Sequence, residues 1–265
     1  MLEYMMSFFT SWFIYPNLKW TSLLIGIGLA FGFAAIWFAT YWTPILKKPW
    51  AWGVLIASAF LSLVVVSFIQ IPLQYWTGQV LNHFWSPDVL MRWLLLAGIP
   101  QILFSGLVQE GSKLVPVVVY WWRNGKTIDP RLGLVIGAAA GLGFGVFEAV
   151  WAHSTNFAAG WTWQAVEAGG FMGLVGFWER FSAVAFHIAA SALAGYGLAR
   201  GWGWQFYLLS SFLHALLNYS IVLLISNLIT AFQMEIYATV VAALLTAGVL
   251  WLRWRKSEYV VEGIT

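Results

Sequence analysis

The sequence has no cysteine and very little charge. Without a thiol there is no disulfide framework, no thiolate metal site, no iron–sulfur cluster and no cysteine nucleophile. Only 9% of its 265 residues are charged, against ~25% in soluble domains. So few charges cannot cover a water-facing surface, and 61% hydrophobic residues with a mean hydropathy of +0.79 exclude the soluble fold classes. The balance of 13 Lys+Arg against 10 Asp+Glu is too weak for a nucleic-acid partner. Repeats, low-complexity linkers and shifts in composition are missing too, so residues 1–265 read as one integral membrane domain.

Apolar runs long enough to cross a bilayer lie at Trp20–Tyr41, Trp50–Ile71, Leu90–Trp122, Leu132–Ala152, Phe181–Ala199, Trp204–Ile225 and Ile229–Leu252. The fold class that follows is an all-α, polytopic membrane bundle of about seven transmembrane helices. The 19 tryptophans suit the headgroup belts of such a bundle. The third run is too long for one straight span and contains Pro100 and Pro116; it predicts a kinked helix, or a span followed by a short extra helix. Gly160–Phe177 reads as interfacial or re-entrant. Met5–Tyr15 lacks a basic n-region and a cleavage site, and reads as an interfacial helix rather than a signal peptide.

The few charges divide by side. Lys47, Lys48, Arg123, Lys126, Arg131, Arg200, Arg253, Arg255 and Lys256 fall on one side, and Lys19, Arg92 and Arg180 on the other. Nine against three places the N-terminus outside and the C-terminus in the cytoplasm. His83, Asp88, His153, Glu167 and Glu179 read as outer-loop residues without a special role.

The remaining ionisable groups sit inside spans, where each costs at least ~2.5–3.5 kcal/mol on insertion scales. They are Glu110 and Lys113 in the third span, Glu148 in the fourth, His187 in the fifth, and His214, with Asn218, in the sixth. Glu235 lies near the outer boundary of the seventh. At 1.5 Å per residue from the cytoplasmic span ends, Glu110 is roughly 18 Å deep, Glu148 about 25 Å, His187 about 20 Å and His214 about 15 Å. Two carboxylates and two imidazoles from four helices thus share a layer. His214 and Asn218 project from one helix face, Glu110 and Lys113 are spaced for an internal ion pair, and Arg180, His187 and Ser191 share a stripe. The small-residue run from Gly137 to Gly145 lets neighbouring helices approach closely beside Glu148.

Such a set can activate water in two ways. One is a His₂Glu metal site on Glu148, His187 and His214, with zinc as the metal and the other Glu as base. The other is metal-free, with a Glu base and a His/Asn oxyanion hole. Residue types alone leave both open.

Four ordered motifs resemble those of the PrsW-type intramembrane proteases: Gln109-Glu110-Gly-Ser-Lys113; Gly141-Leu-Gly-Phe144-Gly-Val-Phe-Glu148; Glu179-Arg180 with His187; and His214-Ala-Leu-Leu-Asn218. The third is also similar to the YhfC relatives, and both groups belong with the CAAX prenyl proteases. The resemblance covers roughly residues 105–220 of a motif-bearing core at about 90–225. It implies a prokaryotic plasma-membrane peptidase acting on a membrane-associated protein or peptide, membrane-anchored anti-sigma factors being among the substrates of this class. It further implies Glu110, Glu148, His187, His214 and Asn218 as catalytic residues, supported by Gln109, Lys113, Phe144 and Arg180. One position departs: Gln109 stands where the family has the first Glu of a pair, and Gln cannot take a proton. If the family's essential base is the second Glu, Glu110 keeps the chemistry; if it is the first, the chain is an inactive member.

Other classes fit less well. A catalytically inactive member would be a membrane scaffold or complex subunit. A proton-coupled transporter would use the same Glu and His groups, but no inverted repeat or pair of broken helices marks one. Haem on His187 and His214 would leave Glu110 and Glu148 unexplained. Retinal is not expected, because the intramembrane lysine, Lys113, lies in the third span.

Overall fold

A computed structural model describes residues 1–41 and 44–255, and the secondary structure among them is helical throughout. Helix α1 (Leu2–Ser11) and α2 (Trp20–Ala39) come first, then α3 (Pro49–Val65) and α4 (Ile71–Phe84), joined by one turn of π-helix at Val66–Gln70. Two short helices, α5 (Pro87–Arg92) and α6 (Leu94–Ala97), lead into α7 (Ile99–Arg123), α8 (Pro130–Ala158) and α9 (Trp163–Gly169). The chain closes with α10 (Val175–Ala199), α11 (Gly203–Ile225) and α12 (Ala231–Trp254). Among the described residues, seven helical stretches are long and apolar enough to span a membrane: Trp20–Ala39, Pro49–Phe84, Leu94–Arg123, Pro130–Ala158, Trp163–Ala199, Gly203–Ile225 and Ala231–Trp254. The protein is a polytopic all-α membrane bundle. Lys256, counted with the C-terminal positive group, lies outside the described residues.

Helix starts follow local chemistry. Prolines occupy the first turn of α3, α4, α7 and α8, where a missing N–H costs nothing. Asp129 caps α8 by accepting from the N–H groups of Arg131 and Leu132, and Thr230 with Gln233 forms a capping box on α12. Exposed tryptophans gather at helix ends, with Trp20, Trp122, Trp204 and Trp251 each more than half exposed, as an interfacial belt requires.

Several boundaries differ from the sequence expectation. The extra helices of the third span precede it rather than follow it: Gly98 and Pro100 reset the chain before α7, whereas Pro116 sits inside α7 without ending it. The second span runs on past Ile71 to Phe84, because helical hydrogen bonding continues where hydropathy falls. The fourth reaches Ala158, which makes His153 a fully buried helical residue and not part of an outer loop. The fifth helix begins at Val175, so Glu179 also lies in a helix, and α9 with a 3-10 turn fills most of the ambiguous 160–177 stretch. Trp12, just past α1, stacks on Trp151 of α8 at 4.9 Å.

The centre is the pair α8 and α10. Every residue from Gly133 to Gly145 and from Ser182 to Leu198 is buried. Their contact is built on absent side chains. A Cβ at Gly137 would strike the carbonyl oxygen of Ser191, and one at Gly141 that of His187. Four-residue steps on α8 thus match four-residue steps on antiparallel α10, the small-residue packing by which helices associate in lipid. A second close approach joins α7 to α11, where a Cβ at Gly106 would strike the carbonyl oxygen of Ser211.

Candidate active site

Those two crossings deliver the polar pairs. One turn beyond Gly106 is Glu110, and one turn beyond Ser211 is His214; His214 Nδ1 meets Glu110 Oε1 at 2.7 Å. Two turns beyond Gly141 is Glu148, whose Oε2 lies 3.0 Å from His187 Nε2. Lys113 links the pairs, its Nζ at 2.5 Å from Glu110 Oε1 and 3.0 Å from His187 Nδ1.

Partners assign the tautomers. An ammonium has only donors, so His187 Nδ1 accepts from Lys113 and its Nε2–H donates to Glu148. His214 donates through Nδ1 to Glu110, which leaves the lone pair on Nε2. Arg180 donates to Glu148 Oε2 at 2.7 Å and grips both oxygens of Glu179 with its guanidinium fork. Glu179 is thus a member of the network that the sequence reading set aside.

Burial separates the two carboxylates. The Glu110 and Lys113 side chains are 0% exposed, whereas Glu148 retains 18% and Arg180 15%. Glu148 is the more open of the two carboxylates. Phe144 shields the centre: its ring packs edge-on to His187 at 4.8 Å, and Lys113 Nζ lies 5.3 Å from its centroid. Phe186 does the same for His214 at 5.5 Å.

Glu110, His187 and His214 each offer a ligand atom, all within 4.8 Å of one another. Two imidazoles and a carboxylate are a donor set that suits a divalent ion of zinc type. Glu110 Oε2 is buried with no hydrogen-bond partner, so the carboxylate keeps an unused acceptor. The residues therefore fit a metal. The sequence reading set Glu148 with the two histidines; the grouped ligand atoms here are those of Glu110 with the histidines, while Glu148 Oε2 is engaged by Arg180 and His187 Nε2.

Gln109 and Asn218 belong to a neighbouring network. Gln109 Nε2 donates to Gln70 Oε1 at 3.2 Å and Ser105 Oγ at 3.3 Å, and Asn218 Nδ2 donates to the same Ser105 Oγ at 2.8 Å. Gln70, at the π turn, was overlooked in the sequence. Its signal was a lone amide near the end of an apolar run. Ser191 is buried in α10 without a hydrogen-bond partner, and Glu235 is buried on α12 within electrostatic reach of Glu179 and Arg180. His153 has neither ring nitrogen bonded and packs between Phe33 and Phe177.

No curated protein and no solved structure matches the chain. A family model does: that of the PrsW family intramembrane metalloproteases matches residues 46–249, which takes in five of the seven spans whole, most of the last, and all of the clustered groups. The chain belongs to the PrsW family of intramembrane metalloproteases.

Proposed function

We propose that the protein hydrolyses a peptide bond of a membrane-associated protein or peptide with a water activated at the Glu/His cluster. The observation that carries this reading is the convergence of Glu110, His187 and His214 ligand atoms within 4.8 Å, inside a membrane-spanning bundle. These three residues would hold the metal, His187 by the Nδ1 lone pair now taken by Lys113, since its Nε2–H donates to Glu148. Bound there, a zinc-type ion would supply Lewis acidity toward the scissile carbonyl and toward water.

The chain's own groups do the rest. Glu148 is the general base: it is the more exposed carboxylate, and with Arg180 and His187 both on Oε2, its Oε1 takes the proton and returns it to the departing amine. Arg180 and the His187 Nε2–H hold Glu148 in place, and Glu179 in turn holds Arg180. Lys113 offsets the charge of Glu110 and occupies the His187 Nδ1 lone pair, which it would yield to the ion. Asn218 and Ser105 line the approach beside Glu110.

Cleavage of a panel of single-span membrane proteins, read alongside metal content, tests the assignment. Wild type is expected to cleave and carry metal. Glu110→Ala, His187→Ala and His214→Ala should lose both. Glu148→Ala should retain metal and lose cleavage. Equal cleavage by all of them refutes the reading. Gln109→Glu should not improve activity, since its amide has donor work to do; activity gained only in that variant would mark the natural chain as an inactive scaffold.

A further inference from the structure

Carboxamides inside a membrane-spanning bundle need a reason, and this one stacks four of them in sequence. Gln109 Nε2 donates to Gln70 Oε1 at 3.2 Å, and Gln70 Nε2 to Gln74 Oε1 at 3.5 Å. Gln74 Nε2 then donates to the main-chain carbonyl of Gln101 at 2.9 Å, while Gln101 Nε2 donates back to the main-chain carbonyl of Gln74 at 3.0 Å. The π turn Val66–Gln70 sits at the inner end of this ladder; such turns insert a residue and re-aim the side chains that follow, often at functional sites. Gln109 is the residue beside Glu110, and its Oε1 is buried without a partner. Gln74 and Gln101, at the far end, are half-buried and reachable. An apolar cavity of about 350 Å³, lined in part by Leu81, Trp93 and Ala97, begins one to two turns beyond them.

A peptide bond in a transmembrane helix is shielded by its own hydrogen bonds, so it must be unwound to be cut. Each N–H and C=O freed in an apolar layer then costs several kcal/mol unless another group bonds it. A carboxamide carries the donor and acceptor of a peptide group in one plane, and a row of them can stand in for a neighbouring strand. We propose that Gln101, Gln74, Gln70 and Gln109 form the substrate-docking edge, which hydrogen-bonds the unwound main chain of a membrane-spanning substrate and leads it to Glu110. The proposal rests on the peptidase reading and names how that site receives its substrate.

The lack of cysteine makes a crosslinking test direct. Gly78→Cys places a single thiol at the outer rung, since a Cβ there meets only Gln101 Nε2, at 4.0 Å. It is combined with Glu110→Gln, so that capture is read without cleavage, in phosphatidylcholine vesicles. The probes are two synthetic membrane-spanning peptides whose central thiol is carried as a 2-thiopyridyl mixed disulfide, so that exchange with the protein thiol releases pyridine-2-thione; one has an unbroken Leu/Ala core and one a Gly-Pro-Gly interruption. The interrupted peptide should form the disulfide about tenfold more, and Gln101→Leu or Gln70→Met should each lower its yield about five- to tenfold, as loss of a buried hydrogen-bonding partner implies. Where Gln101→Leu does not fold, Gln101→Glu, which removes the donors and keeps the shape, should lower the yield likewise. Equal yields from the two peptides, no disulfide with either, or yields indifferent to these substitutions overturn the proposal; the last, with cleavage slowed by the same substitutions when Glu110 is intact, would make the ladder a water path. Capture by this variant, when the protein with Glu110 intact cleaves neither peptide nor any of the membrane-protein panel, would sink the peptidase reading and leave the ladder standing.

Discussion

Lys113→Met should damage the protein far more alone than together with Glu110→Gln. Lys113 Nζ and Glu110 Oε1 are 2.5 Å apart, with both side chains fully buried. Unit charges at that separation attract by about 7 kcal/mol at an effective dielectric of ~20, and the desolvation of two ions offsets most of it. Removing one partner is different, because the other charge stays in place. After Lys113→Met the Glu110 carboxylate keeps only the His214 N–H, and after Glu110→Gln the ammonium keeps its bond to the His187 ring. Each single change should therefore cost about 3–5 kcal/mol, while the double variant costs no more than either, a coupling of at least ~3 kcal/mol. Equilibrium unfolding in mixed micelles with rising dodecyl sulfate, followed by the fluorescence of the 19 tryptophans, measures all four corners. Single costs that simply add, with coupling below ~0.5 kcal/mol, would show that the two groups do not share one buried pair.

Gly141→Ala should lower thermal stability by the equivalent of ~1–3 kcal/mol and reduce cleavage with it, because the new Cβ meets the His187 backbone; Gly28→Ala, with open space around it, should be neutral or gain up to ~1 kcal/mol, and equal melting temperatures for the two refute the crossing. Arg180→Lys should leave metal content unchanged and cut cleavage about tenfold, since an ammonium cannot fork onto Glu179 while holding Glu148; full activity would remove Arg180 from its positioning role. The charge asymmetry puts the exposed Ser86 outside and the exposed Asn124 in the cytoplasm, so an impermeant thiol reagent on intact cells should label Ser86→Cys and spare Asn124→Cys; the reverse pattern inverts the topology.

The spans were legible because hydropathy reports lipid contact directly, and Glu110, Lys113, Glu148, His187 and His214 were legible because charge in an apolar run is costly. Helix ends were less so, since hydropathy marks the edge of lipid while backbone hydrogen bonds carry α4 to Phe84 and α8 to Ala158. That is how His153 and Glu179 were misplaced in loops. Depth put two carboxylates and two imidazoles in one layer but could not say which would meet. The pairing depends on azimuth, and azimuth is set by Gly106 against Ser211 and by Gly141 against His187, contacts between residues distant in sequence. Only with those crossings does Glu110 face His214 and Glu148 face His187.

Gln109 shows how far a family pattern can be read without its surroundings. Against the motif it is a carboxylate lost. In the bundle, its Nε2 donates to Gln70 Oε1 and Ser105 Oγ, and both partners are buried. A carboxylate at 109 could donate to neither, and it would add a second anion directly beside Glu110, which Lys113 alone neutralises by a direct ion pair. An anion in so apolar a layer would lack a cation of its own. The amide at 109 and the amide at 70 are therefore one feature, and the charge absent from the first is matched by the donor the second requires. What the motif loses in acidity the site regains as an uncharged, hydrogen-bonded flank to the one carboxylate that the two histidines and the lysine surround.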